Sequence, residues 1–423
     1  MNEQELIIKL SIGAYDNTFV DLYQIKDIDF QRARYIRAVE KFSGLNQENA
    51  ELRVFSAPGR TEIGGNHTDH QNGCVFAAAI DRDIIGVAGF HDKGYIRIRS
   101  EGYDEFTVYL DDLEVHKDQS GPSEIVRGIA AGFKKRGIDI SGFNMYVNSN
   151  IPEGSGMSSS AAFETLIATA LNASCGNALS RAETAKICQY AENVYFGKSC
   201  GLMDQTVAAE GGLVFIDFKN ADAPEARNIA YDLAGSGYDM VITDTKGSHS
   251  DFTVDYDAVR AEMEECAAYF DKKVLSEVDE ELFLSRISEL RKTVSDRAIL
   301  RAAHFFSDSK RAAAEADALE KGEFEKFLLL INESGESSSC FLQNLYSLRR
   351  PEEQGIPLAV MISKKILAGK GAVRVHGGGF AGTVLAFVPS KMTKNYISEM
   401  DSVFGKNSGC RMKIRPVGGI ELM

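Results

Sequence analysis

Residues 64–73, GGNHTDHQNG, set two histidines, an aspartate and an asparagine between glycines. So many short polar side chains admit a metal site, a hydrolase site, a polar turn, or a clamp for a ligand covered in hydroxyls. A metal would call on His67, Asp69 and His70, but the two histidines do not share a face of a strand or turn, and H-x-x-H is a weak metal pattern. A polyol suits the donors better. Aspartate can take two hydroxyl protons at once, and histidine and asparagine donate or accept singly.

Two further stretches are rich in glycine. In IPEGSGMSSSAAFE (151–164), consecutive small residues leave backbone N–H groups bare just where a helix should open near Ser160. Bare N–H groups and the positive end of a helix dipole make an anion site, although a flexible turn with a helix cap reads the same way. No G-x-x-x-x-G-K-[ST] loop occurs in the chain. In VRVHGGGFAGTVLAFVP (373–389), Gly377, Gly379 and Gly382 have the G-x-G-x-x-G spacing. The dinucleotide reading requires a helix after these glycines, whereas TVLAFV is β-like. An oxyanion loop of the HGGG kind lacks a G-x-S-x-G nucleophile anywhere in the chain. A strand, a glycine turn and a second strand remain, with backbone that can approach a phosphate or another backbone closely.

The elements that must position these stretches belong to a chain of 423 residues, long enough for two or three domains. A net charge of −14 argues against a nucleic-acid binder, so any anionic substrate must meet a local patch of donors. The N-terminus MNEQELIIKL has acids where a secretory signal would have positive charge, and the apolar run CVFAAAI is too short to span a bilayer. Seven scattered cysteines, none in a C-x-x-C pair, suggest reduced thiols and a cytoplasmic protein without disulfides. Residues 28–43 and 124–136 read as helices, and RVFSAP, CVFAAAI, IIGVAGF, YIRIRS, EFTVYL and FNMYVNSNIP as strands. Residues 180–197 begin with the Ser180…Glu183 spacing of a capping box and end at glycine, which predicts a helix. The polar run 219–237 marks the expected boundary between domains 1–220 and 221–423. Beyond it, strands (DMVITDT, AVRV, TVLAFVP) mix with helices expected at 254–272, 281–293, 309–330 and 353–367. This is an α+β order, not a regular βαβ series.

APGRTEIGGNHTDHQNG resembles the galactokinase signature of the GHMP small-molecule kinases, usually written P-G-R-x-N-x-I-G-E-H-x-D-Y-N-x-G. PEGSGMSSSAAFE resembles the phosphate loop of that family, and VHGGGFAGTVLAFV its C-terminal glycine motif. AENVYFGKSCGLMDQTVAAEGG (191–212) is similar to the stretch bearing the catalytic aspartate, and residues 243–266 to the segment supplying a sugar-contacting tyrosine. The resemblance runs from about residue 20 to 390. It implies a two-domain fold: an N-terminal mixed-sheet domain, like domain 2 of ribosomal protein S5, and a ferredoxin-like C-terminal domain closing the cleft. It also implies ATP and Mg²⁺ as cofactors, a small-molecule sugar as partner, no nucleic acid or membrane, and a monomer. Asp204, otherwise readable as a surface or helix-cap acid, would accept the proton of the anomeric hydroxyl, and Arg60 would neutralise developing charge and keep Asp204 ionised. Glu192 lies on one helix stripe with Cys188 and Tyr195, where a lone carboxylate is costly. By resemblance Glu192 and Ser160 would hold Mg²⁺, Gly154, Ser155, Gly156, Met157, Ser158, Ser159 and Ser160 would cradle the phosphates, and Asn66, His67, Asp69, Gly201 and Tyr256 would hold the sugar.

The signature is not matched everywhere. Asn66 replaces a glutamate, Asp69-His70-Gln71 replaces Asp-Tyr-Asn, and Glu62 stands where the family has asparagine. A neutral residue at 66 would remove an acceptor from the far end of the sugar and stop repelling a carboxylate at C6. Plant galacturonate kinases look similar at this point. The expected reaction is therefore phosphorylation of galactose at C1, with galacturonate or another C4-axial sugar as the alternative. A non-catalytic sugar sensor on the same scaffold is disfavoured, because GSGMSSSAA keeps its serines and Asp204 and Glu192 are present.

Overall fold

The first long strand is almost wholly buried although it carries Ser56, Arg60, Thr61 and Glu62. Polar residues enter such a strand only where partners wait for them, and the rest of the fold supplies those partners. In this computed structural model the described residues are 1–25, 28–45, 51–116, 121–152, 156–198, 200–221, 223–247 and 252–423. Among them, one sheet of eight strands holds β1 (Leu52–Gly64), β2 (Cys74–His91), β3 (Tyr95–Ser100), β4 (Phe106–Tyr109), β5 (Gly142–Ser149), β6 (Leu213–Asp217), β7 (Glu225–Ile229) and β12 (Ile420–Glu421). Its order is β12-β1-β2-β5-β3-β4, with β6 on the other end of β2 and β7 outside it. Only β3 and β5 run parallel among these pairs, so the sheet is mixed. CVFAAAI and IIGVAGF, expected as separate strands, are one: β2 passes through Asp81 and Asp83, polar residues that are buried and bonded inside it. The β1–β2 ladder shifts register between Pro58 and Arg60 and again between Glu62 and Gly64. Such irregularities re-aim side chains, and here they bracket the residues the sequence singled out.

A second sheet contains β8 (Tyr238–Asp244), β9 (Ala372–His376), β10 (Thr383–Pro389) and β11 (Gly409–Met412), all antiparallel, in the order β11-β8-β10-β9. With helices between β8 and β9 and between β10 and β11, this is the ferredoxin-like arrangement. The glycine run 377–382 is the turn of the β9–β10 hairpin. β7 and β12 lie past residue 220 in sequence yet belong to the first sheet, so the chain returns to it at its end. The two sheets share a core in which Phe55, Phe76 and Phe143 of one, with Phe133 of the helix Pro122–Lys134, join Leu385 and Phe387 of the other. Burying each such ring stabilises the fold by roughly 1.5–3 kcal/mol.

Some helices differ from expectation. The helix expected at 309–330 is two: Asp296–Glu320, then Phe324–Ser337, because Gly322 takes a left-handed φ of 70° and reverses the chain. The stretch 281–293 is likewise broken into Glu280–Ser285 and Ile287–Leu290. Two N-terminal helices, Glu3–Ser11 and Asp16–Tyr23, were not anticipated; they pack Leu6, Leu10, Phe19 and Tyr23 onto Val54 and Val87. Ser180 and Glu183 do form the reciprocal capping box. The helix they open, Arg181–Tyr190, widens into a π-turn over Ala191–Phe196, and such widenings occur often at functional sites. No helix among the described residues is long and apolar enough to cross a membrane.

Candidate active site

Arg60 leaves β1 and points at Asp204, on the first turn of the helix Met203–Glu210. The two form a bidentate pair, Nε to Oδ1 at 2.6 Å and Nη2 to Oδ2 at 2.7 Å. The remaining guanidinium nitrogen, Nη1, donates to the Gly156 carbonyl at 2.6 Å, and the Ser158 hydroxyl donates to Asp204 Oδ2. Burial alone would raise the Asp204 carboxyl, but Arg60, Ser158 and the Lys198 charge outweigh it and hold it below the usual carboxylate range. Asp204 is therefore ionised at neutral pH. Gly59 lets the phosphate loop close on β1: a Cβ there would sit 2.6 Å from the Met157 carbonyl, which accepts from Arg60 N at 3.1 Å.

The helix Ser159–Ser174 opens at the described end of that loop, as the sequence implied. Ser158, at its N-cap, adopts a left-handed φ of 55°, an uncommon conformation for serine, and aims its hydroxyl at Asp204 rather than at the helix. Gly156 and Ser159 are exposed and Ser160 half-buried, while the Met157 side chain is a core residue, so Met157 could meet a phosphate only through its backbone. Gly154 and Ser155 lie outside the described residues.

Glu192 sits on the π-turn, buried with Cys188 and Tyr195 as the stripe predicted. Its Oε1 accepts from Lys198 Nζ at 3.1 Å and its Oε2 from Gln205 Nε2 at 2.9 Å. The same amide donates to Glu164 at 3.1 Å, and burial together with the Glu192 charge pushes the Glu164 carboxyl up. Ser160 makes no hydrogen bond to Glu192. Among the described residues, Glu164 Oε1 and Gln205 Oε1 are buried without a hydrogen-bond partner. Both Glu192 oxygens are thus engaged by protein, and among the described residues no group of three or more His, Cys, Asp or Glu side chains is placed to hold a metal ion.

On the other side of Arg60 and Asp204 opens a cavity of about 560 Å³, lined by Arg60, Glu62, Asn66, His67, Asp69, Gly201, Asp204 and Tyr256 among others. The five residues expected to hold the sugar all line it, although the Asn66 side chain is saturated by protein partners. The loop 64–73 closes on itself through the Thr68 hydroxyl, which reaches Gly65 O at 2.8 Å and Cys74 O at 2.6 Å. Burial pushes His67 down to about 4, so its ring is neutral, and Nε2 must carry the proton because it faces the Gly378 carbonyl at 2.9 Å. Tyr256 stacks on that ring, with centroids 6.5 Å apart, and donates to Gly379 O at 3.0 Å. Both side chains thereby seat the β9–β10 turn over the cavity. Asp69 packs so tightly on Gly201 that a Cβ there would lie 2.1 Å from its Oδ2. Burial and the nearby Asp204 charge push the Asp69 carboxyl up.

Asn66 is fully buried, and its groups are all engaged. Its Nδ2 donates to Glu62 Oε1 at 2.9 Å and Gly377 O at 2.8 Å; its Oδ1 accepts from Asn344 at 2.8 Å; its backbone N–H and carbonyl meet Asp308 at 2.8 Å and His304 at 2.9 Å. The expectation that a neutral residue at 66 leaves this wall without a carboxylate is corrected, because Glu62 stands against it. Arg374, fully buried in β9, clamps Glu62 Oε1 at 2.8 Å and Ile63 O at 2.5 Å. Sequence reading missed Arg374, Asn344, His304, Asp308, Glu164 and Gln205. Only Arg374 had a local signal, a charge between two valines on a strand that had to be buried.

Comparison with known proteins agrees with this geometry. The pattern for the GHMP kinases N terminal domain matches residues 124–212, and the galactokinase galactose-binding signature matches residues 40–90. The fold is similar to that of Lactococcus lactis galactokinase, solved in complex with galactose, with a TM-score of 0.79 at 24% identity, over 92% of this chain and 100% of that one. It is also similar to the Methanococcus jannaschii mevalonate kinase (TM-score 0.62, 15% identity, 86% of this chain and 99% of that one). A D-glycero-D-manno-heptose 1-phosphate kinase shares it too (0.58, 15%, 88% and 98%). The chain carries a match to the GHMP kinase N-terminal domain and to the galactokinase galactose-binding signature. The part of the cavity lining from Arg60 to Asn72 lies within the stretch that matches the galactokinase signature.

Proposed function

We propose that this protein is an ATP-dependent sugar kinase that converts galactose and ATP to galactose 1-phosphate and ADP. The observation that carries the reading is the Arg60–Asp204 pair, which belongs at once to the wall of the polar cavity and, through Gly156 and Ser158, to the phosphate loop. A sugar hydroxyl in the cavity and a γ-phosphate on the loop would meet at Asp204. The anomeric oxygen bonds to the γ-phosphorus, the bond from that phosphorus to the β,γ-bridging oxygen breaks, and the hydroxyl proton passes to Asp204. A carboxylate held this low is a weak base, so it takes the proton late, once bonding to phosphorus has made the hydroxyl acidic. Arg60 offsets the charge on the transferring group. Ser160 and Glu192 would hold Mg²⁺, which when bound neutralises the phosphates, while Lys198 and Gln205 keep Glu192 in place. Support also comes from the galactokinase signature and from the likeness to a galactokinase solved with galactose.

The test is ADP release by the purified protein with galactose, galacturonate, glucose, N-acetylgalactosamine and arabinose. Galactose should give the highest kcat/KM, and chelation of divalent cations should abolish turnover while sparing sugar binding measured without nucleotide. Turnover of galacturonate alone would overturn the choice of sugar; turnover of none would overturn the kinase reading.

A further inference from the structure

Glu62 and Asn66 exchange places relative to the family signature quoted above, which has asparagine at the first position and glutamate at the second. In this chain the two side chains touch, Asn66 Nδ2 to Glu62 Oε1 at 2.9 Å. The pair therefore keeps one carboxylate and one carboxamide, with their positions transposed. Asn66 has no capacity left for a ligand, since both Nδ2 protons and its Oδ1 are engaged by protein. Glu62 differs. Its Oε1 is held from two sides, by Asn66 and by Arg374. Its Oε2 has no hydrogen-bond partner among the described residues, is not sealed from solvent, and belongs to a residue only 5% exposed whose opening is the cavity.

We propose that Glu62 is a sugar-binding residue, its Oε2 accepting a proton from one hydroxyl of the bound sugar while Arg374 and Asn66 hold the carboxylate rigid. This assignment rests on the sugar-kinase reading above. An unpartnered carboxylate oxygen that opens only onto the cavity is placed to accept from a ligand hydroxyl there. Burial, against the pull of Arg374, lifts the Glu62 carboxyl to about 7. The transposition also explains why two departures from the signature occur together, since either alone would place two carboxylates or two carboxamides in contact. With two carboxamides, Arg374 would lose its counter-charge.

Galactose binding by calorimetry, without nucleotide, tests this in wild type, Glu62→Gln and the double variant Glu62→Asn/Asn66→Glu, together with the 2-, 3-, 4- and 6-deoxy sugars. Glu62→Gln should weaken galactose binding by about tenfold or more, the value of a hydrogen bond to a charged group, and leave ATP affinity within about twofold. One deoxy sugar should lose clearly less affinity on Glu62→Gln than on wild type, because the contact it lacks is the one already removed. The transposed double variant should bind galactose within a few-fold of wild type. Galactose affinity unchanged in Glu62→Gln would overturn the assignment. So would a lowered melting temperature with every deoxy sugar penalised as on wild type, because Glu62 would then be only a partner for Arg374. A wild type that binds no sugar in the screen would overturn the functional reading itself.

Discussion

Arg60 binds Asp204 through both carboxylate oxygens, and a third donor, Ser158, shares one of them. Such a carboxylate is held in one orientation and one charge state, which suits a group that must receive a proton from a fixed direction. Asp204→Asn would keep the volume and much of the hydrogen bonding but could not take the proton. Turnover should fall by about 10²-fold or more, with sugar and ATP affinities measured by calorimetry little changed. Turnover near that of wild type would show that Asp204 only positions Arg60. Ser158 is the neighbour to watch in such a variant, because its hydroxyl would have to turn from donor to acceptor to face the new amide.

At the scale of elements, two segments of the cavity wall meet through a missing side chain. The turn Asp69–Gln71 presents Asp69, and the segment before the helix Met203–Glu210 presents Gly201 against it. Asp69→Ala should weaken sugar binding by about 1–3 kcal/mol, the usual result of removing a buried polar partner, with ATP affinity unchanged. Gly201→Ala should act in the same direction, since its Cβ would lie 2.1 Å from Asp69 Oδ2 and so displace that carboxylate. Calorimetry with galactose and separately with ATP reads both. A Gly201→Ala protein with wild-type sugar affinity would mean that the loop yields freely and that Asp69 is not held by this contact. The β9–β10 turn is the second such joint, where His67 and Tyr256 each hold a turn carbonyl.

Across the whole molecule, both ends of the chain are tied to the middle of the first sheet by one buried acid. Asp83, on β2, bonds Arg34 of the helix Asp29–Phe42 at 2.5 Å and Arg415, just before β12, at 2.9 Å; Tyr23 and Ser56 donate to it as well. Burial alone would raise this carboxyl, but the two guanidinium groups outweigh it and hold it below its ordinary value. Removing it strands two buried cations, so Asp83→Asn should cost about 3–5 kcal/mol. A native pKa lowered from about 3.9 means that the ionised form is the stabilising one. Its contribution is complete above the unfolded value and disappears as pH falls through the native one. Denaturant midpoints of wild type and Asp83→Asn should therefore be far apart at pH 7 and converge below about pH 4. A gap that does not change with pH would assign the effect to packing.

Motif chemistry was legible in the residues themselves. Small side chains before an apolar helix leave backbone N–H groups bare, a capping box needs only Ser180 and Glu183, and G-x-G-x-x-G followed by a β-like run cannot be a dinucleotide fingerprint. These depend on contacts within a few residues, and the sequence by itself determined them, along with the α+β class. Long-range pairing decided the rest. That Asn66 is a saturated hub follows from Asp308, His304, Asn344 and Gly377, more than 200 residues away. That Glu62 tolerates burial follows from Arg374, separated from it by 312 positions. No local pattern carries such information, because the electrostatic cost of a buried charge is settled by whatever the fold places beside it. Asn66, read alone, implied a wall without a carboxylate, and the tertiary structure put Glu62 there.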